Sequence, residues 1–186
     1  WRDSLRLPAL NDCVGFLNRD SIVLVAVPST AAKSDIVFNE IMFDARTESS
    51  EFIELYNASE NILDLAEVQL ATKDDGEWSN AFPLRGSPTL FFLKTYAVFS
   101  ENGQSIYSQY LQSDSTVFFD VGKMPNLSSL GGEIYLIDRK VEVIDHLDYS
   151  ASNHFDLLKT NKGVSLERIH PTTVGYSSDA WVSASE

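Results

Sequence analysis

Cysteine is all but missing from this chain. Cys13 stands alone, so neither an internal disulfide framework nor a zinc site built on several cysteines is available. Long apolar runs are missing as well. The longest covers residues 22–28, far short of the ~20 residues that cross a bilayer as a helix. Cationic side chains are few: 14 Lys and Arg face 27 Asp and Glu, a formal charge of −13. That balance opposes approach to phosphates and to anionic lipid, so nucleic acid and membrane insertion are not expected. There is no glycine-rich phosphate loop and no Gly-x-Ser-x-Gly nucleophile turn. The chain opens on Trp1, with no charged and apolar leader behind it. We therefore expect a piece of a longer protein.

What is present is a globular composition. Apolar residues make up 44% and charged residues 22% of 186, enough for a sizeable core without disulfides. Most of the chain reads as short runs rich in Val, Ile, Phe and Tyr between polar turns. Strands are expected at 21–27, 35–43, 51–56, 68–72, 91–99, 116–121, 133–138, 141–149 and 164–168. In 141–149 one face carries Val141, Val143, Leu147 and Tyr149, and the other Glu142, His146 and Asp148, with only Ile144 apolar. Such period-2 alternation marks an antiparallel sheet with one wet face. Ile106, Tyr107, Tyr110 and Leu111 have helical spacing, predicting one short helix near residues 104–112. Many strands and one helix fit an all-β, two-sheet antiparallel sandwich, with Ile36, Phe38, Ile53, Leu55, Val98, Leu136, Val143 and Leu147 expected in its core. The segment 28–34 (PSTAAKS) reads as a linker. It sets residues 1–34 apart from a sandwich at 35–186. The apolar strand at 21–27 needs a partner, either this sandwich or the remainder of a preceding domain.

From Asp35 on, a family pattern accumulates. Ile36-Val37-Phe38-Asn39-Glu40-Ile41-Met42 and then Glu51-Phe52-Ile53-Glu54-Leu55-Tyr56-Asn57 resemble the opening of the lamin tail domain. Ile62-Leu63-Asp64-Leu65 with Val68-Gln69-Leu70 follow in the family's order, and so does the strand at 94–100. Next come Leu130-Gly131-Gly132-Glu133-Ile134-Tyr135-Leu136-Ile137-Asp138, then Val143-Ile144-Asp145 with Tyr149. The closing Gly163-Val164-Ser165-Leu166-Glu167-Arg168 and Trp181 complete it. The resemblance is to the bacterial surface-protein type. It implies an immunoglobulin-like β-sandwich in an exported or cell-surface protein, without catalysis. DNA binding, which some members achieve through basic patches, does not carry over to a chain this acidic.

Several clusters invite chemistry. Asp145, His146 and Asp148, followed by His154 and Asp156, offer transition-metal ligand types. Alternation, however, separates His146 and Asp148 from Asp145. Asp145 itself points inward between Val143 and Leu147, where a carboxylate must be paired or hydrogen-bonded. Either a bulge turns it out or backbone N–H groups of a neighbouring loop hold it. Glu40 and Glu54 could form a hydrolytic carboxylate pair, but no pocket-building loop accompanies them. Asp74, Asp75 and Glu77 in an oxygen-rich turn are weak calcium candidates that lack an EF-hand register. Asn57 and Asn126 begin N-glycosylation sequons. Trp78, in a polar loop, is a candidate platform for a protein or glycan ligand. The expectation is thus a cofactor-free, non-catalytic module for adhesion, spacing or protein binding, located outside the cell and joined to neighbouring domains. The alternative is an accessory substrate-binding domain of a secreted hydrolase.

Overall fold

The computed structural model describes residues 2–7, 21–109 and 118–184. Cys13, Tyr110 and Leu111 lie outside them. Two sheets face each other. One has six strands in the order β10 (Phe118–Asp120), β9 (Tyr96–Ser100), β4 (Phe52–Asn57), β3 (Ile36–Met42), β13 (Leu166–Arg168) and β14 (Trp181–Ser183). The other has four: β12 (Val143–Ser150), β11 (Gly131–Asp138), β6 (Val68–Asp74) and β7 (Glu77–Pro83). Their inner faces share one core. Ile36, Phe38, Ile53, Leu55 and Phe99 come from the first sheet, and Leu70, Ile134, Leu136, Leu147 and Tyr149 from the second. A short pair, β5 (Leu63–Asp64) with β8 (Leu90–Phe91), lies beside them.

Two bulges depart from simple alternation. In β3, Phe38 pairs with Leu55 and Glu40 with Glu54, so Asn39 is the extra residue. That insertion lets Phe38 and Ile41, three positions apart, both face the core. In β12, Leu136 opposes Asp145 and Ile137 opposes Val143, so Ile144 is the extra residue. The bulge buries Ile144 and leaves Val143 37% exposed. Val143 is therefore not a core residue, as plain alternation would make it.

The sheets are antiparallel except at β9–β10, which run parallel. The crossover carries α1 (Gly103–Gln109), and a helical crossover returns the chain in the same direction. Ile106 of α1 joins Met42, Phe52 and Val98 in a second apolar cluster. Val98 is buried there, on the outer face of the six-stranded sheet, and not in the inner core. The expected strand at 91–99 is two strands, broken at Lys94 with φ 56°.

The strand at 21–27 joins neither sheet of the sandwich. β2 (Ser21–Ala26) forms a two-stranded antiparallel sheet with β1 (Arg2–Leu7). The segment 28–34 is anchored to the sandwich. Ser29 N–H donates to Ile62 O at 2.8 Å, and Ser34 N–H to Ile144 O at 2.8 Å.

Candidate functional site

The outer face of the four-stranded sheet gathers a row of aromatic side chains outside the inner core. Trp78 lies in strand β7 and not in a loop. An edge strand exposed on both faces carries no Val or Ile to announce it. The turn before it explains Asp74, Asp75 and Glu77. Asp74 pairs with Glu77, and Asp75 and Gly76 take positive φ of 47° and 83°. That is a two-residue hairpin turn matched to strand twist. Among the described residues, no three His, Cys, Asp or Glu gather as a metal site.

Past the turn, a bulge sets Lys73 opposite Trp78. The Trp78 ring meets Tyr135 edge-on at 5.1 Å between centroids. Lys73 Nζ sits 4.6 Å from the Trp78 ring centre and 4.8 Å from that of Tyr135, a cation shared by two rings. Tyr135 and His146 are register partners on β11 and β12. Their rings stack at 4.1 Å with planes 11° apart. Tyr176, from the closing loop, lies 5.4 Å beyond His146. The result is a continuous Trp78–Tyr135–His146–Tyr176 band. Its two ends are open to solvent, Trp78 at 39% and Tyr176 at 57%.

Carboxylates rim this band. Tyr135 Oη donates to Glu133 Oε2 at 2.8 Å. Burial first, then this bond and the charges of Glu133 and Asp148, push the Tyr135 hydroxyl up to about 12. Burial lowers the pKa of His146 against the opposing pull of Glu133, Asp148 and Asp145. His146 Nε2 is 3.8 Å from Glu133 Oε2, too long for a hydrogen bond. The imidazole serves here as a neutral stacking surface.

The histidine–carboxylate cluster read from sequence does not assemble. His146 and Asp148 share the outer face, as alternation requires. His154 is buried elsewhere, its Nδ1 3.0 Å from Ser183 Oγ and its ring 5.4 Å from Phe43. Asp145 stays inward beside the bulge instead of being turned out by it, and the backbone N–H that it accepts comes from strand β3, not from a loop. Its Oδ2 accepts from Phe38 N–H at 2.9 Å and from Arg168 Nη1 at 2.7 Å. Arg168 Nη1 also donates to Phe38 O at 3.0 Å, and Nη2 donates to Thr173 O. Asp145 and Arg168 thus clasp the Phe38 peptide and tie β12 to the opposite sheet. Sequence reasoning missed Arg168 in this role, although an inward Asp calls for a cation.

Glu40 and Glu54 face out from the six-stranded sheet, directly opposite each other, with Glu167 opposite Glu40. Ser165 Oγ donates to Glu40 Oε1 at 2.5 Å, and Asn39 Nδ2 to Glu54 Oε1 at 2.7 Å. Burial, more than the neighbouring Glu54 and Glu167 charges, pushes Glu40 up to about 7 against the Ser165 bond. Glu54 is raised as well, again mainly by burial. An unfolded Glu titrates near 4.5. Between these values the folded chain holds the extra proton, so this contribution to stability falls as pH rises. Glu40→Gln should match the wild type near pH 5 and exceed it by roughly 2–3 kcal/mol near pH 8. Denaturant unfolding at both pH values checks this; an equal difference at both would contradict it.

Of the two sequons, Asn57 is fully buried, its Nδ2 donating to Asn61 O and Phe91 O. It is no glycan acceptor in the folded chain.

Two facing sheets, one shared core and a buried tryptophan in the closing strand define an immunoglobulin-like β-sandwich. The family model of the Lamin Tail Domain matches residues 29–151, more than half of the chain. The chain belongs to that family. No curated protein matches it in sequence. The matched stretch ends at the close of β12, yet β13 beyond it pairs with β3 through Leu166–Ile41 and Glu167–Glu40. The sandwich therefore extends past the matched residues.

Proposed function

We propose that this domain is a non-catalytic docking module of a larger exported or cell-surface protein. It holds a protein ligand on the outer face of its four-stranded sheet. The observation that carries this reading is the Trp78–Tyr135–His146–Tyr176 band with its two solvent-open ends. Trp and Tyr on rigid strands give large contact area at little entropic cost, and they dominate binding energy at protein interfaces. Glu133 and Asp148 beside the band call for a ligand with basic groups at its rim. Duplex DNA is not an expected ligand, because the net charge of −13 repels it. Family membership supports a module without chemistry of its own. So does the engagement of Asp145 by Arg168 and Phe38, which leaves that carboxylate a structural role.

Retention of the purified domain on arrayed extracellular proteins tests this reading. We expect specific retention on at least one of them. Trp78→Ala and Tyr176→Ala should each weaken it, Trp78→Ala by about thirtyfold if the indole is a hot spot. Retention unchanged in both variants would overturn the assignment of the face.

A further inference from the structure

The described residues leave one end of the sandwich open. A cleft of about 810 Å³ lies there, between the β3–β4 loop, the inner face of the β6–β7 hairpin and the segment after β10. Pockets for small ligands measure roughly 300–1,000 Å³. The cleft lies on the opposite face of the hairpin from Trp78, because Thr72 and Asn80 pair across it while Lys73 and Trp78 face out.

Its lining mixes three kinds of group. Asp44 and Glu51 supply carboxylate acceptors, and Asn80 and Asn126 supply amides that both donate and accept. Phe82 provides an apolar wall beside the core, with Lys123 Nζ 5.9 Å from its ring centre. Among the described residues, no hydrogen bond or ion pair engages the side chains of Asp44, Glu51 or Asn126. Glu101, by contrast, is already taken by Met124 N–H at 2.8 Å. Free acceptors and amides on one side and an aromatic wall on the other match a ligand with hydroxyl edges and a C–H face. A carboxylate-lined cleft repels anionic ligands such as nucleotides or sulfated sugars. Lys123 within the wall offsets part of the pull on a cation.

We propose that this end cleft binds a short neutral oligosaccharide, with Glu51 and Asn126 reading its hydroxyls and Phe82 packing on its ring. Burial and the charges of Asp44 and Glu101 raise Glu51 to about 7. Near neutral pH it is therefore present both as an acceptor and as a donor, and hydroxyls satisfy either form. The inference goes beyond the aromatic band and stands or falls separately from it.

Calorimetric titration of the whole chain with neutral gluco-, xylo- and manno-configured hexasaccharides tests it, with spermine and calcium chloride as comparators. At least one hexasaccharide should bind one to one. Asn126→Ala and Glu51→Gln should each weaken it about tenfold, the loss of one or two hydrogen bonds. Both positions are open to the cleft, and unchanged thermal unfolding verifies that the variants fold. Trp78→Ala should leave the titration unaltered. No saccharide binding up to millimolar concentration would overturn the proposal. So would binding of spermine or calcium alone, which would make the cleft a collector of cations. Saccharide binding that survives both cleft variants and fails in Trp78→Ala would move the sugar to the outer band and overturn it too.

Discussion

Arg168→Ala is expected to destabilise the fold by about 3–5 kcal/mol, the usual cost of removing one partner of a buried ion pair. The guanidinium is shielded, with its side chain only 2% exposed, and it donates to Asp145, to Phe38 O and to Thr173 O. Its loss leaves the Asp145 carboxylate in the core with only the Phe38 N–H to answer it. Asp145→Ala should cost a similar amount, by stranding the Arg168 cation. The pair Asp145→Ala with Arg168→Met should cost well under the sum, because neither charge is then left alone. Denaturant melts of the three variants give the coupling directly. Single losses below about 1 kcal/mol would show that the clasp does not hold the sheets together.

Trp181→Ala is expected to cost about 3–5 kcal/mol, the range for a large aromatic removed from a packed core. Trp181 is 3% exposed and sits opposite Arg168 in the β13–β14 register. Its Nε1 donates to Gly175 O at 2.8 Å. Gly175 in turn lies so close to β12 that a Cβ there would come within 2.5 Å of His146 O. The indole thus fastens the closing loop, which carries Tyr176, against the edge of the sandwich. Trp181→Phe should recover part of the packing and none of the hydrogen bond. Thermal unfolding compares the two. A change below about 1 kcal/mol for Trp181→Ala would place the ring outside the core.

The inner core was legible because its strands are strongly patterned. Ile36, Phe38, Ile53, Leu55, Leu136 and Leu147 are all fully buried. One error falls where a bulge changes the phase, and Val98 packs under α1 on the outer face of its sheet instead of in the inner core. Period-2 reading puts Val143 inside, and the extra residue Ile144 turns it out. Edge strands were hidden for a different reason. β7 reads Glu-Trp-Ser-Asn-Ala-Phe-Pro, a polar composition that suits an exposed edge and gives no strand signal. In the hairpin between β11 and β12, Val141 adopts φ 69° without a glycine, held by Asp138 Oδ1 accepting from Lys140 and Glu142 N–H. The candidate site was half legible. Trp78 and His146 each stood out, for unrelated reasons. Only the register joining Tyr135 to His146, and the return of the closing loop, place them in one band with Tyr176. The end cleft was not legible at all, since its lining comes from four separate stretches of polar sequence.

The claim that a ligand docks on the outer face of the four-stranded sheet is tested most directly by amide chemical-shift mapping. The isotopically labelled domain is titrated with the arrayed protein that retains it most strongly. The account predicts perturbed amides on β7, β11 and β12 around Trp78, Tyr135 and His146, with the Phe38, Asp145 and Arg168 amides unmoved. Perturbations centred on Glu40, Glu54 and Glu167 of the opposite sheet, with the aromatic band silent, would contradict it.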